Sequence, residues 1–257
     1  MSKLFDAEVV VNKKISEKSN ILILKPLEEV PLPKPGQFYM LGVNDLCEPL
    51  LKRPFSFFKY NKRGIHILFS VRGKGTKIMR EFNTGMRVRV IGPLGNGYKM
   101  PSENDKPLFI AGGTGIASIY SLVSSINKKV CLIYGASCME ELLLINDIKK
   151  LCVNAFICTD DGSVGLRGTV VEVLKRRMMS DIRFKDFNVM YACGPKPMLK
   201  ALAEIAYKYN IKGYISLEER MACGFGSCLG CVVETKDGYK MVCKDGPVFP
   251  IEQILWR

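Results

Sequence analysis

From Pro107 onward the chain alternates short apolar runs with longer helical stretches, and this rhythm limits the fold more than any other feature of the sequence. The runs fall at 108–111, 130–134, 155–158 and 189–192, with a further one at 214–217. Helical stretches at 116–126, 140–151, 169–179 and 197–209 lie between them. A strand that must cross over through a helix before the next strand can only pair in parallel, so the pattern predicts a doubly wound parallel sheet. Upstream the pattern is different. Runs at 7–15, 21–25, 37–43, 65–71 and 86–91 are rich in β-branched and aromatic residues. Turn signals such as Pro33-Lys34-Pro35-Gly36 and Asn61-Lys62-Arg63-Gly64 separate them. Short, closely spaced strands with that punctuation predict a small antiparallel β-barrel, interrupted by one short helix at 76–82.

The polar stretch 99–106 separates the two patterns, and the alternation stops again near residue 218. The expected organisation is therefore a barrel over 1–98, an α/β nucleotide domain over 99–217 and a small tail over 218–257. That tail is rich in Cys and Gly and carries a hairpin signal at Asp237-Gly238. It lacks the apolar mass to fold alone and needs a staple, for which a metal would serve.

Ten cysteines are present. Cys47, Cys131, Cys138, Cys152, Cys158 and Cys193 are dispersed, several in apolar runs where a thiol behaves as a small hydrophobe. Cys223, Cys228, Cys231 and Cys243 are clustered as C-x4-C-x2-C, eleven residues, then C. The first part has the spacing of plant-type [2Fe–2S] loops, and the interleaved Gly224, Gly226 and Gly230 give the backbone freedom to curl round sulfide. A structural zinc site is the competing reading, although zinc ligands usually come as two knuckles and Cys243 stands alone. Unligated thiols are the third.

The run Ala111-Gly112-Gly113-Thr114-Gly115-Ile116 follows the first strand of the alternating half and opens its first helix. Free amides and a helix dipole at such a turn suit a diphosphate, so the expectation is dinucleotide binding; the plain alternative is a tight turn. Asp160, after the third strand, would disfavour a 2′-phosphate and leans the expectation to NAD over NADP, with a turn or cap as the alternative. Cys193, Gly194 and Pro195 end the fourth strand at the edge where open α/β sheets bind ligands, or simply form a strand-to-helix turn. In the barrel half, Arg53-Pro54-Phe55-Ser56 puts a cation, a stiff turn and a hydroxyl within four residues, and Gly73-Lys74-Gly75-Thr76 offers amides and a hydroxyl to an anion. Each alone reads as a strand end or helix cap. His66, the one histidine, sits in Ile65-His66-Ile67, where alternation makes it structural, so no catalytic triad is expected.

In this order, and with Gly92-Pro93-Leu94-Gly95-Asn96-Gly97 between barrel and sheet, the motifs resemble the ferredoxin reductase superfamily of flavoproteins. The tail Glu218-Glu219-Arg220-Met221-Ala222-Cys223-Gly224 narrows the resemblance, over essentially the whole chain, to the electron-transfer subunits of type B dihydroorotate dehydrogenases. The resemblance implies FAD in the barrel, with Arg53 on its diphosphate, Pro54 and Phe55 in the same motif and Ser56 near the reactive ring edge. It also implies that Ser70, Val71 and Arg72 line the FAD and that Gly75 and Thr76 bind its diphosphate. NAD, as substrate, would lie near Gly112, Gly113, Thr114, Gly115, Cys193, Gly194 and Pro195. The partner would be an FMN-containing catalytic subunit in a heterotetramer of two of each subunit. Electrons would run from FMN through the cluster and FAD to NAD+, in pyrimidine biosynthesis. Related reductase subunits serve sulfite reductases, hydrogenases and ferredoxin–nicotinamide oxidoreductases, which leaves the partner open; a zinc-stapled binding protein is the alternative of another class.

The chain carries 38 Lys and Arg against 25 Asp and Glu, a net +13, which suits either an acidic partner or a Lys-rich surface. The basic residues, Lys128 among them, are scattered; no run of five like charges marks a nucleic-acid arm, so no nucleic-acid partner is expected. No apolar run reaches the roughly 18 residues of a membrane helix. The first six residues lack the apolar core of a secretory signal, and the expected location is cytoplasmic.

Overall fold

In a computed structural model describing residues 2–43, 48–126 and 129–256, the β-rich half closes on itself. Strands β1 (Lys3–Ser16), β2 (Ser19–Pro26), β3 (Phe38–Leu41), β4 (Arg53–Asn61), β5 (Gly64–Ser70) and β6 (Arg87–Leu94) form a closed barrel in the order β1-β2-β5-β4-β3-β6, every pair antiparallel. Alternate residues of each strand fill its interior, among them Phe5, Leu22, Tyr39, Phe57, Ile67 and Val90. One strand, β4, does not follow from periodicity. Its first residues, including Pro54, are half-buried on both faces and read as a turn in the sequence. Pro54 lies opposite Met40 near the start of the strand, before β4 begins to pair with β5 at Phe57, where a missing N–H is tolerated. The short helix α1 (Lys74–Arg80) follows β5, and its C-terminal carbonyls are closed by one side chain: Asn12 Nδ2 donates to Met79 O at 2.9 Å, Arg80 O at 2.9 Å and Phe82 O at 3.0 Å. Cys47 and Lys128 lie outside the described residues.

The second half contains β7 (Pro107–Gly112), α2 (Ile116–Val123), β8 (Val130–Ala136), α3 (Ile145–Leu151), β9 (Cys152–Thr159), β10 (Leu166–Arg167), α4 (Val170–Ser180), β11 (Val189–Cys193), α5 (Lys196–Lys208) and β12 (Lys212–Ser216). The sheet order is β10-β9-β8-β7-β11-β12, all parallel. Helices α4 and α5 cover one face around Val173, Leu174 and Leu202; α2 and α3 cover the other around Ile119, Leu122 and Ile148. The doubly wound expectation is met. The stretch 140–151 is not one helix. A short 3-10 turn over Met139–Glu141 ends before Leu144, whose left-handed φ of 58° restarts the chain as α3.

The tail adds the hairpin β13 (Val232–Thr235) and β14 (Gly238–Met241), then β15 (Val248–Pro250). The hairpin turn is Lys236-Asp237, one residue earlier than its sequence signal, because Gly238 at φ +92° already pairs with Thr235. Strand β15 returns to the main sheet, antiparallel to β12, with Ser216 opposite Val248 and Tyr214 opposite Pro250. Barrel and sheet meet through Phe58 edge-on to Tyr120 of α2 at 5.7 Å and through Tyr98 Oη and Ser118 Oγ at 3.0 Å. His66 lies on this outer barrel face, buried, edge-on to Phe58 and 3.0 Å from Asn61 Oδ1, away from the cleft described next. Burial, with the positive charges of Lys59 and Arg63, holds its imidazole down near a pKa of about 4.

Candidate functional site

In a parallel sheet the turns after each strand collect at one edge, and the crevice opens where the strand order reverses. Here β7 comes first in sequence; β8, β9 and β10 continue to one side of it and β11 and β12 to the other. The reversal therefore lies between β7 and β11, and it brings the glycine-rich turn against Cys193-Gly194-Pro195. The fit is tight. A Cβ on Gly115 would stand 2.4 Å from Cys193 O, and one on Gly112 would stand 2.6 Å from Met198 Sδ and 3.0 Å from Pro195 Cδ. Gly115 allows close backbone approach, and Gly112 leaves room for the Met198 and Pro195 side chains.

Between this turn and the barrel lies a cleft of about 280 Å³. Its barrel wall is made by Phe38, Pro54, Phe55, Ser56, Leu68, Phe69, Ser70, Arg72 and Thr76. Thr114 and Ala117 face them from the nucleotide half, and Ser216, Leu217, Glu218, Glu219, Met221 and Pro247 complete it. Three of the barrel residues named from the sequence stand behind this wall. Val71 packs against the barrel core. Arg53 Nη1 donates to Leu51 O, and its guanidinium lies over Gly75, where a Cβ would be 2.8 Å from Arg53 Nε. Thr76 Oγ1 accepts from the amides of Arg72 (2.9 Å) and Gly73 (3.1 Å), which orders the entry to α1.

Of the nucleotide-half residues, Thr114 enters this cleft, while Gly194 and Pro195 line a second one of about 390 Å³ with Lys196, Leu199, the β13 strand and the C-terminal Ile254–Trp256. Leu217, Glu218 and Glu219 belong to both clefts. Cys193 is buried; burial and then the Glu218 charge push its thiol up to about 12, which disfavours the thiolate. Asp160 lines neither cleft. It stands exposed after β9, two strands from β7, roughly 10 Å along the sheet edge. Partial burial and its neighbours Glu172, Asp161 and Glu141 raise its carboxyl.

Glu218, Glu219 and Met221 were not assigned to a site from the sequence. Their signal was position: they follow the last parallel strand, at the ligand-binding edge. Glu218 is open to the cleft, yet enclosing protein raises its carboxyl, with Arg72 opposing.

Two residues beyond Met221 the cysteine loop begins. Gly224 (φ +83°) and Gly226 (φ +91°) bend it so that amides point inward. Ser227 N donates to Cys223 Sγ at 3.3 Å, Gly230 N to Cys228 Sγ at 3.5 Å and Cys243 N to Cys231 Sγ at 3.4 Å. Burial would raise the Cys223 thiol, but the amides of Phe225, Cys228 and Ser227 outweigh it and bring it down to about 6. Cys243 is pushed up to about 12 by burial and by Cys231 beside it. The four thiols thus associate two and two, Cys223 with Cys228 and Cys231 with Cys243. Among the described residues no three ligating side chains converge as a single metal ion requires. Two pairs of thiolates with amide donors fit a binuclear cluster, in which each iron takes two cysteine thiolates and the two bridging sulfides, better than one tetrahedral zinc.

A barrel followed by a doubly wound sheet, with a cleft between them at the strand-order reversal, defines a ferredoxin-reductase-like flavoprotein oxidoreductase fold. The solved structure of an NADH-dependent reduced ferredoxin-NADP oxidoreductase superposes with a TM-score of 0.83 at 25% identity over 97% of this chain and 90% of that one. A ferredoxin reductase of carbazole 1,9a-dioxygenase shares the fold at a TM-score of 0.69 and 20% identity, over 82% of this chain and 66% of that one. Residues 109–204 match the oxidoreductase NAD-binding domain, and residues 218–255 match the iron–sulfur cluster binding domain of dihydroorotate dehydrogenase B. The dihydroorotate dehydrogenase B (NAD(+)) electron transfer subunit of Desulforamulus reducens is 35% identical over the whole of both chains. Its homolog from Aquifex aeolicus is 38% identical over 97% of this chain and 98% of its own. The chain belongs to the family of dihydroorotate dehydrogenase B electron transfer subunits.

Proposed function

We propose that this chain carries electrons from a catalytic dihydroorotate dehydrogenase subunit to NAD+, holding FAD in the first cleft and a [2Fe–2S] cluster on Cys223, Cys228, Cys231 and Cys243. Bound there, FAD supplies hydride exchange with the nicotinamide and single-electron exchange with the cluster. The chain's own residues bind and orient. Ser56 and Ser70 offer hydroxyls to the ring edge, Pro54 and Phe55 form an apolar wall, and Arg72 with the Thr76-ordered turn supplies charge and amides to a diphosphate. Arg53 and Gly75 back that turn, and Val71 anchors it to the barrel. Gly112, Gly113, Thr114 and Gly115 present amides at the head of α2 for NAD, Cys193 and Gly194 hold the facing turn, and Pro195 shapes the second cleft beside it. Asp160 favours NAD at the ribose. We divide the chain into a barrel over 1–98, a nucleotide domain over 99–217 and a cluster segment over 218–257.

The observation that carries this reading is a shared wall. Met221 lines the cleft two residues before Cys223, and Gly224 rests on Met40 and Leu94, whose neighbours Pro54 and Phe38 line the same cleft. A cysteine loop that adjoins the cleft at Met221 and packs on the barrel through Met40 and Leu94 suits electron passage. The partner would be an FMN-containing subunit, in a complex of two of each, in the cytoplasm; among the described residues no helix is long and apolar enough to cross a membrane.

Co-expression with an FMN subunit tests it. The expected result is a product with flavin, iron and acid-labile sulfide that reduces NAD+ with dihydroorotate. A product with flavin and iron that ignores dihydroorotate moves the chain to another reductase complex, a reading to which the ferredoxin-NADP oxidoreductase likeness lends weight. A colourless, zinc-bearing product overturns both.

A further inference from the structure

The barrel loop over residues 93–97 lies outside the cleft and carries none of the cysteines, yet it grips the cluster segment. Asn96 Nδ2 donates to Asp245 O at 2.9 Å and to Lys244 O at 3.3 Å, and its backbone N donates to Gly246 O. Asn96 forms a parallel bridge with Pro247. Gly95 packs so closely on this stretch that a Cβ would stand 2.5 Å from Gly246 O, and Gln37 Nε2 holds the loop from below by donating to Gly95 O at 2.7 Å. The gripped stretch has a telling position. Cys243 precedes it directly, and Pro247 at its far end lines the first cleft, with its carbonyl accepting from Leu217 N at 2.9 Å.

We infer that Asn96 is a positioning residue: its carboxamide clasps residues 244 and 245 to the barrel and so fixes the adjoining Cys243 relative to the flavin cleft. The inference rests on the electron-carrying function proposed above. Asn96 itself is exposed and lines no part of the first cleft, so its side chain has no ligand to serve there. A surface Asn that spends both donors on consecutive carbonyls, 148 and 149 positions away in sequence, acts through the segment it holds.

The decisive variant is Asn96→Asp, which keeps the shape and turns a donor into an acceptor facing two carbonyls. It is compared with Asn96→Gln, which keeps the donor, in the purified chain carrying FAD and iron. Two quantities are read after mixing with NADH: the rate at which the flavin absorbance bleaches and the rate at which the cluster absorbance follows. Each NADH gives two electrons as a hydride to the flavin and leaves as NAD+; the flavin passes one to its cluster and keeps the other. Asn96→Asp is expected to leave flavin bleaching and iron content unchanged, to slow cluster reduction about tenfold, and to speed native-state trypsin cleavage after Lys244 about tenfold relative to cleavage after Arg63, the fold-change of about 1.4 kcal/mol. Asn96→Gln is expected to recover most of both. Equal cluster rates in Asn96→Asp and the parent overturn the inference, and so does a parallel loss of flavin bleaching and cluster reduction, which marks plain destabilisation. If Asn96→Asp does not retain iron, Asn96→Ala takes its place in the rate comparison. The trypsin comparison needs no cofactor, so it judges the clasp even if the chain binds neither flavin nor iron and the proposed function fails.

Discussion

Replacing Gly115 with Ala tests whether the glycine-rich turn and the Cys193-Gly194-Pro195 turn work as one cradle. The added methyl carbon would stand 2.4 Å from Cys193 O, 2.6 Å from its carbonyl carbon and 2.9 Å from Gly194 N. All three are backbone atoms held by the β7–β11 ladder, which pairs Ala111 with Cys193, so no side chain can swing aside. Overpacking a tight site costs about 1–3 kcal/mol, and a clash with backbone belongs at the upper end. Typical total stability is about 5–15 kcal/mol, so the chain still folds. The strain falls on the two turns that would face the dinucleotide, and 1.4–2.8 kcal/mol of it corresponds to a loss of roughly 10–100-fold in NADH affinity. The assay is the KM for NADH with an artificial electron acceptor, on protein whose flavin and iron contents equal those of the parent. Gly113→Ala is the control. It has a φ of +53° and nothing within 4 Å of its Cβ, so it bears only the left-handed backbone cost of about 1–2 kcal/mol and no displacement of β11. An unchanged KM in Gly115→Ala, or an equal rise in both variants, refutes the argument that close approach of the two turns builds the NAD site.

Thr169→Ala removes the cap of α4, where Thr169 Oγ1 accepts from Glu172 N at 3.2 Å and Glu172 Oε2 accepts from Thr169 N at 2.9 Å; a loss of about 1 kcal/mol should lower Tm by roughly 2–4 °C in a thermal melt. His66 stays neutral when folded down to about pH 4, whereas the unfolded chain protonates it near 6.5, so it favours unfolding progressively as pH falls through that window, by at most about 3 kcal/mol. His66→Phe should flatten the stability profile between pH 6.5 and 4 in urea titrations, and an unaltered slope contradicts the assignment. Asp160→Ser should raise the use of NADPH relative to NADH several-fold, measured as the ratio of kcat/KM values; no change removes Asp160 from the ribose site.

Features with a period were open to the sequence. Strand–helix alternation gave the parallel sheet, and Ile65-His66-Ile67 put the histidine on the outer barrel face because neighbouring strand residues point opposite ways. The glycine-rich turn and Cys193-Gly194-Pro195 each had a strand before and a helix after, and the order reversal joins them without further information. Features set by distant partners were closed to it. Strand β4 looked like a turn because the consecutive residues Pro54, Phe55 and Ser56 all border the cleft, so its first half shows no alternation. Strand β15 spans three residues, too few to carry a pattern, and exists because β12 offers it an edge. The hydrogen bonds of Asn96 reach residues almost 150 positions away, which no local signal reports.

The last of these strands has a consequence for how the polypeptide is made. Until Val248–Pro250 leaves the ribosome, β12 presents unpaired amides and carbonyls at the rim of an otherwise finished sheet, an invitation to pair with another nascent copy. The segment that seals this rim is the one that bears the cysteines, so synthesis must pass the metal-loading loop before the nucleotide half is protected. A chain cut short before Val248 should therefore leave β12 open and aggregate more readily than the full chain.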